Sequence, residues 1–176
     1  MRATRSILIL ARALNAAVVP YREGGCHGGP LPSRCGDREA DGGLAMSGRQ
    51  TIDGMLGAAR SRIERLAPEA AYGAMAEGAL LIDTRCADER RATGMIPGSV
   101  HGPLSVLFWR LDPSSGYNDP ALSDPARPVV LICAHGYSSS LAAATLVDLG
   151  FASVADVVGG FEAWSAAGLP VEPGRS

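Results

Sequence analysis

A chain of 176 residues sets the scale of one domain, and 47% hydrophobic against 19% charged residues supports a packed core rather than a disordered polymer. The formal net charge of -2 argues against a polyanion-binding surface, so nucleic acid is not an expected partner. No apolar run reaches the roughly 18 residues that a membrane span needs, and four cysteines without a spacing framework fit a reducing compartment, which points to the cytoplasm.

In chain order, Arg2 and Arg5 precede the short apolar run Ile7 to Leu10, but Arg12 interrupts the stretch beyond it, so a secretory signal is not expected. The Arg-rich, acid-free start also suits an organelle transit peptide; the reading adopted is an extension without function. Residues 22 to 48 are dominated by Gly, Arg, Pro, Asp and Ser and read as disordered, so 1–50 is taken as an N-terminal extension. Met46 and Met55 are alternative translation starts, and residues 1 to 45 are expected to be dispensable for folding and activity. Ile52, Met55, Leu56, Ala59, Ile63 and Leu66 recur at helical spacing and predict one helix over 51–66. Pro68 then suits the first turn of a second helix ending near Gly78.

From there the pattern alternates. Ala79 to Ile82 predicts a buried strand ending at Asp83, Ser99 to His101 a short strand, and Ser105 to Leu111 a helix. Residues 112 to 128 predict an exposed loop. Pro128 to Ile132 is the strongest strand, followed by a helix over 138–149, a strand from Val154 to Val158 and a helix from Phe161 to Ala167. Gly150 and Gly168 stand where glycines terminate helices. The alternation predicts an α/β domain over 67–173, with a mostly parallel central sheet flanked by helices.

The chemistry concentrates after the strongest strand. That strand ends at Cys133, a short turn containing Gly136 comes next, and Ser138 is placed to cap the succeeding helix. Ligands of open α/β sheets bind at the carboxyl ends of strands. Consecutive N–H groups in such a turn form an anion nest, and the helix N-terminus adds partial positive charge. A thiol there is expected to have a depressed pKa and to be nucleophilic near neutral pH. A cysteine at a strand end is ordinarily only a buried residue; the glycine-containing turn leading into a helix favours the nucleophile.

These residues carry a resemblance. CAHGYSS resembles the active-site loop of rhodaneses, which opens on the catalytic cysteine, with Gly at the fourth position and a Ser, Thr or Arg at the sixth; bacterial single-domain thiosulfate sulfurtransferases have small hydroxyl residues there. LLIDTRCADE is similar to the family's strand ending in Asp-x-Arg, with Asp83 and Arg85 matching. GMIPGSVHGP is similar to the Gly-His-Ile-Pro-Gly-Ala segment, with Met95 and Ser99 departing from it. VVGGFEAWSAAGLPV is similar to the C-terminal Gly-Gly-x-x-Ala-Trp segment. The pieces occur in family order over Leu66 to Val171. The resemblance implies a rhodanese-like three-layer fold and a double-displacement mechanism without a cofactor. Sulfur from an anionic donor such as thiosulfate rides as a persulfide on Cys133 and passes to a thiol or cyanide, or to a partner protein in a sulfur relay. Ala134, His135, Gly136, Tyr137, Ser138 and Ser139 would bind the substrate, their N–H groups stabilising charge on the terminal sulfur.

Several residues have two readings. Arg85 either pairs with the anionic donor or forms a salt bridge to Asp83 or Glu89. Asp83 is expected to fix the loop by hydrogen bonds. His135 points to solvent or does acid–base work, and Tyr137 either walls the pocket mouth or is only exposed. Ser138 and Ser139 serve the helix cap first and substrate second. Arg110 either reaches the pocket or is solvated. Trp109 and Trp164 are read as packing residues and His101 as structural. Cys86 is either a resolving thiol on the same sheet edge as Cys133 or an incidental loop cysteine. Cys26, His27 and Cys35 do not complete a zinc set, so no metal is expected.

Two other classes compete. A phosphatase or arsenate reductase needs an arginine six positions after the cysteine to grip an oxyanion bidentately; Ser139 stands there. A rhodanese-like binding or sulfur-carrier module without catalysis is the other, and retention of Cys133 argues against it.

Overall fold

The structure, a computed structural model, describes residues 50–174. The expectations for Cys26, His27, Cys35 and the N-terminal extension lie outside these residues. The elements are α1 (Ile52–Arg60), β1 (Glu64–Leu66), α2 (Pro68–Ala76), β2 (Leu80–Asp83), α3 (Ala87–Thr93), β3 (Val100–His101), α4 (Leu104–Leu111), β4 (Val129–Ile132), α5 (Ser138–Asp148), β5 (Val154–Val157) and α6 (Gly160–Ala166). The five strands form one sheet in the order β1-β5-β4-β2-β3, with every pairing parallel.

A parallel sheet is covered on both faces, so its central strands read as near-continuous apolar runs, interrupted in β5 by the buried Asp156. Every residue of β2, β4 and β5 is buried. Alternate side chains supply two cores. Leu80, Ile82, Val129, Leu131 and Val154 face Leu107 and Leu111 of α4 and Ala142, Ala143 and Leu146 of α5. Leu81, Val130, Ile132, Ala155 and Val157 face Ala71 of α2 and Phe161 and Trp164 of α6. Trp164 is fully buried, meets Tyr72 edge-on with ring centroids 5.8 Å apart, and donates its indole N–H to the Pro170 carbonyl. Gly150 and Gly168 come after α5 and α6 with φ of +91° and +69°, the left-handed geometry that ends a helix.

Three expectations are corrected. The helix over 51–66 stops at Arg60, capped by Ser61, and Glu64–Leu66 is the edge strand β1, paired with β5. Ile63 and Leu66 continue the helical spacing but lie against opposite cores. Helix α3 was not expected because it buries none of its residues and so shows no apolar period. Its signal is a capping box with cysteine in the serine position: Cys86 Sγ accepts from the Glu89 N–H while the Glu89 carboxylate accepts from the Cys86 N–H. Trp109 is not a packing residue: α4 buries Leu107 and Leu111, one turn apart, and leaves Trp109 56% exposed.

Candidate active site

β2 and β4 run side by side in register, Asp83 opposite Ile132, so the residues beyond them emerge together at the carboxyl edge of the sheet. Thr84 joins them there, its N–H and hydroxyl both donating to the Ile132 carbonyl, at 2.8 and 2.9 Å. Cys133 directly succeeds β4 and is 6% exposed. The chain then folds over the sulfur. Gly136, at φ +75°, directs its N–H onto Cys133 Sγ at 3.1 Å, and Ser139 Oγ in the first turn of α5 lies 3.2 Å from the same sulfur. From the other side α6 closes on the loop, with the N–H groups of Phe161 and Glu162 donating to the carbonyls of Cys133 and Ala134 at 2.8 and 3.1 Å. A Cβ on Gly160 would strike those two carbonyls, so this approach requires glycine.

Burial is the largest influence on the Cys133 thiol and pushes its pKa up. The Ser138 and Ser139 hydroxyls and the N–H groups of Ser139 and His135 together outweigh burial and bring it down to about 7. The alkylation rate of this thiol, measured against pH with the Cys133→Ser background subtracted, is therefore expected to rise with a midpoint near pH 7. A midpoint at the free-cysteine value of about 8.5 would contradict the hydrogen-bonded cradle.

Cys133 opens into a cavity of about 380 Å³ whose wall includes Thr84, Cys86, Glu89, Leu104, Ala134 and Ser138. Cys86 and Cys133 thus share one cavity, and both are free thiols. Cys86 is exposed and occupies the cap of α3.

The remaining candidates separate. Arg85 also contributes to the cavity wall, but its guanidinium is committed inward. It donates to both Asp83 carboxylate oxygens at 3.0 and 2.7 Å, to Thr93 Oγ1 at 2.7 Å and to the Gly94 carbonyl at 2.9 Å. Its central carbon lies 3.5 Å from the Phe161 ring centroid. Of its two readings, the salt bridge to Asp83 is the one found, and donor binding by its side chain is set aside. Asp83 also accepts from the Arg85 N–H and from Arg90 Nε, which pins the turn after β2. Arg110 is directed away from the cavity wall, to Asp119 at 2.6 Å and the His101 carbonyl. His101 is held through Nε2 by the Arg85 carbonyl. His135 is exposed and lies 3.3 Å from Glu162, so its backbone rather than its ring serves the thiol.

Two loop expectations also change. Tyr137, not Ser138, occupies the cap position of α5, with φ and ψ of -106° and -65°, and makes no side-chain capping bond, because its phenol oxygen is too far from the backbone to accept from the first-turn N–H groups. The serines are thereby released: Ser138 lines the cavity and Ser139 contacts the sulfur. The Tyr137 ring is 59% exposed and lies outside the cavity wall, with the Arg60 guanidinium 5.6 Å from its centroid.

A set of residues behind the loop went unread in the sequence. The Gly136 carbonyl accepts from Arg60 Nη2 at 2.9 Å and Arg65 Nη2 at 3.4 Å, with Ser140 Oγ 3.2 Å away. Arg60 Nε donates to Ser140 Oγ at 3.3 Å, and Ser140 Oγ donates to Asp156 at 2.6 Å. Arg65 and Asp156 are cross-strand partners in the β1–β5 ladder and form a salt bridge at 2.9 Å. Asp156 is fully buried, and Ser139 Oγ lies 3.5 Å from its Oδ2.

The profile of the rhodanese-like domain family matches residues 67–167. The chain belongs to the rhodanese-like domain family. It is 40% identical over 106 residues to the thiosulfate sulfurtransferase GlpE of Pseudomonas savastanoi pv. phaseolicola, covering 60% of this chain and 91% of that protein. It is 32% identical over 109 residues to GlpE of Haemophilus influenzae, covering 62% and 94%. Among solved structures it is similar to a Rhodopseudomonas palustris protein of unknown function, described as a possible tyrosine phosphatase, with TM-score 0.66, 35% identity and coverage of 74% and 100%. It is also similar to the polysulfide-sulfur transferase homodimer of Wolinella succinogenes, with TM-score 0.57, 29% identity and coverage of 71% and 88%.

Proposed function

We propose that this chain is a rhodanese-type sulfurtransferase that carries sulfur on Cys133. The observation that carries the reading is the convergence of N–H and hydroxyl donors on one thiol that lines a cavity. With thiosulfate as donor, the Cys133 thiolate attacks the outer sulfur, the S–S bond of the donor breaks, and sulfite leaves with the electron pair. The enzyme holds Cys133–S–S⁻. A thiolate or cyanide then attacks the terminal sulfur, and the Cys133 thiolate departs, restored. Both half-reactions close on Cys133 and need no cofactor. The Gly136 N–H and the Ser139 hydroxyl stabilise the anionic sulfur in each state. Oxyanion chemistry of the phosphatase kind is disfavoured, because residues 134 to 139 hold no arginine to clamp a phosphate.

Incubating the protein with thiosulfate and then mapping peptides by mass spectrometry tests this reading. One added sulfur on the Cys133 peptide, lost on adding cyanide, is the expected result. A Cys133 that stays unloaded with both thiosulfate and an alkyl persulfide would leave a non-catalytic module as the answer.

A further inference from the structure

We propose that Arg60, on a helix outside the family-matched residues 67–167, is a positioning residue for sulfur transfer, clamping the Cys133 loop from behind through the Gly136 carbonyl. The inference rests on the sulfurtransferase reading for its functional meaning, but its geometry is independent of it. A carbonyl oxygen has two lone pairs, and the Gly136 oxygen receives two guanidinium donors, from Arg60 and Arg65. Charge-assisted bonds of this kind are stronger than neutral ones. The peptide unit is planar and trans, so fixing the Gly136 carbonyl toward Arg60 fixes the Tyr137 N–H in the opposite direction. The neighbouring peptide unit, the one that presents the Gly136 N–H to Cys133 Sγ, is joined to it at a residue held at φ +75°. The clamp therefore sets the aim of the donors that the thiolate and the persulfide use.

Arg60 and Arg65 differ in charge balance. Arg65 is neutralised by buried Asp156 at 2.9 Å. Arg60 makes its bonds to neutral groups, the Gly136 carbonyl and Ser140 Oγ, and stacks by Tyr137. It thus brings net positive charge to the loop from the face opposite the cavity. The other charged or titratable groups around the loop are Arg65 of β1, Asp156 of β5 and His135 with Glu162 of α6; on the cavity side are Glu89, Cys86 and the internally paired Arg85. Arg65 offsets Asp156, which leaves Arg60 as the unbalanced cation behind the loop.

The test compares wild type with Arg60→Met and Arg60→Lys, all as full-length chains. Arg60 lies at the last turn of α1 and is only partly buried, so both variants are expected to fold. Two readouts are taken: the pH dependence of Cys133 alkylation, which needs no sulfur chemistry, and the rate of persulfide formation from thiosulfate. For Arg60→Met the alkylation midpoint is expected to rise by about half a pH unit or more, and persulfide formation at pH 6.5 to fall about threefold or more. Arg60→Lys, which keeps the charge but offers one donor point, is expected to recover the midpoint largely and the rate partly. An Arg60→Met variant that is folded and keeps the wild-type midpoint overturns the proposal, whatever its rate. A shifted midpoint in a protein that never loads sulfur would overturn the sulfurtransferase reading and leave the clamp standing. If Arg60→Met lowers the melting temperature and the rate but Arg60→Lys recovers neither the rate nor the midpoint, the role is packing and the proposal fails.

Discussion

Replacing Cys133 by serine is expected to abolish sulfur transfer, by about three orders of magnitude or more, because a hydroxyl cannot form the persulfide. The fold is expected to survive. Serine is smaller than cysteine by a fraction of an atom, and its oxygen can accept from the Gly136 N–H that now bonds Sγ and can pair with Ser139. The change in stability should stay within about 1 kcal/mol. Thiosulfate-to-cyanide activity, persulfide mass and melting temperature check the three parts together. Cys86→Ser serves as the control: its side chain caps an exposed helix, and a serine there is a better cap. A Cys133→Ser variant that still loads sulfur on Cys86 would move the carrier role to the second thiol of the cavity.

Gly136→Val is expected to remove most activity and to destabilise the domain at the same time. Gly136 has φ +75°, where a β-branched residue is a severe misfit and backbone strain alone costs about 1–3 kcal/mol. The structure adds a steric cost that the sequence did not reveal. A Cβ would lie 2.9 Å from both the Val157 carbonyl oxygen and the Gly159 nitrogen, both backbone atoms and unable to rotate away. Relief must come from the loop moving off β5 and α6. That movement withdraws the Gly136 N–H from Cys133 Sγ and the Gly136 carbonyl from its arginines. Persulfide formation and thermal denaturation measured on one sample decide the matter: wild-type loading with an unchanged melting temperature would rule out the hydrogen-bonded cradle.

The parts of the fold that were legible are those whose physics is local. β2, β4 and β5 are buried on both faces, so β2 and β4 read as apolar runs between turn residues, and β5 as one interrupted only by Asp156. Cys133 and Gly136 were legible because a nucleophile loop is short and contiguous. The hidden parts depend on partners distant in sequence. β1 is three residues long and owes its strand geometry to β5, so nothing in Glu-Arg-Leu announces it. Arg65 and Asp156 are separated by 91 positions, and neither carries a local sign that they meet. Arg85 was ambiguous for a related reason. An arginine two residues from an aspartate at a strand end serves ligand or scaffold equally well until Phe161, Thr93 and Gly94 are seen to enclose it.

The β1–β5 ladder has a consequence for how the molecule assembles. β1 opens the described sheet and β5 is its last strand in sequence, so their pairing closes one of the longest loops in the domain. Such contacts carry the largest chain-closure entropy and are not among the quick, local events of folding. The central strands β2 and β4 can pair, and the Cys133 turn can form beside them, before β1 docks at the edge. The thiol would then exist for a time without Arg65 behind it. The same order applies in reverse to fluctuations of the native state. An edge strand of three residues, partly exposed, is a low-cost place to open. Each such opening would dim the reactivity of Cys133 and lift Leu66 from the core it packs against.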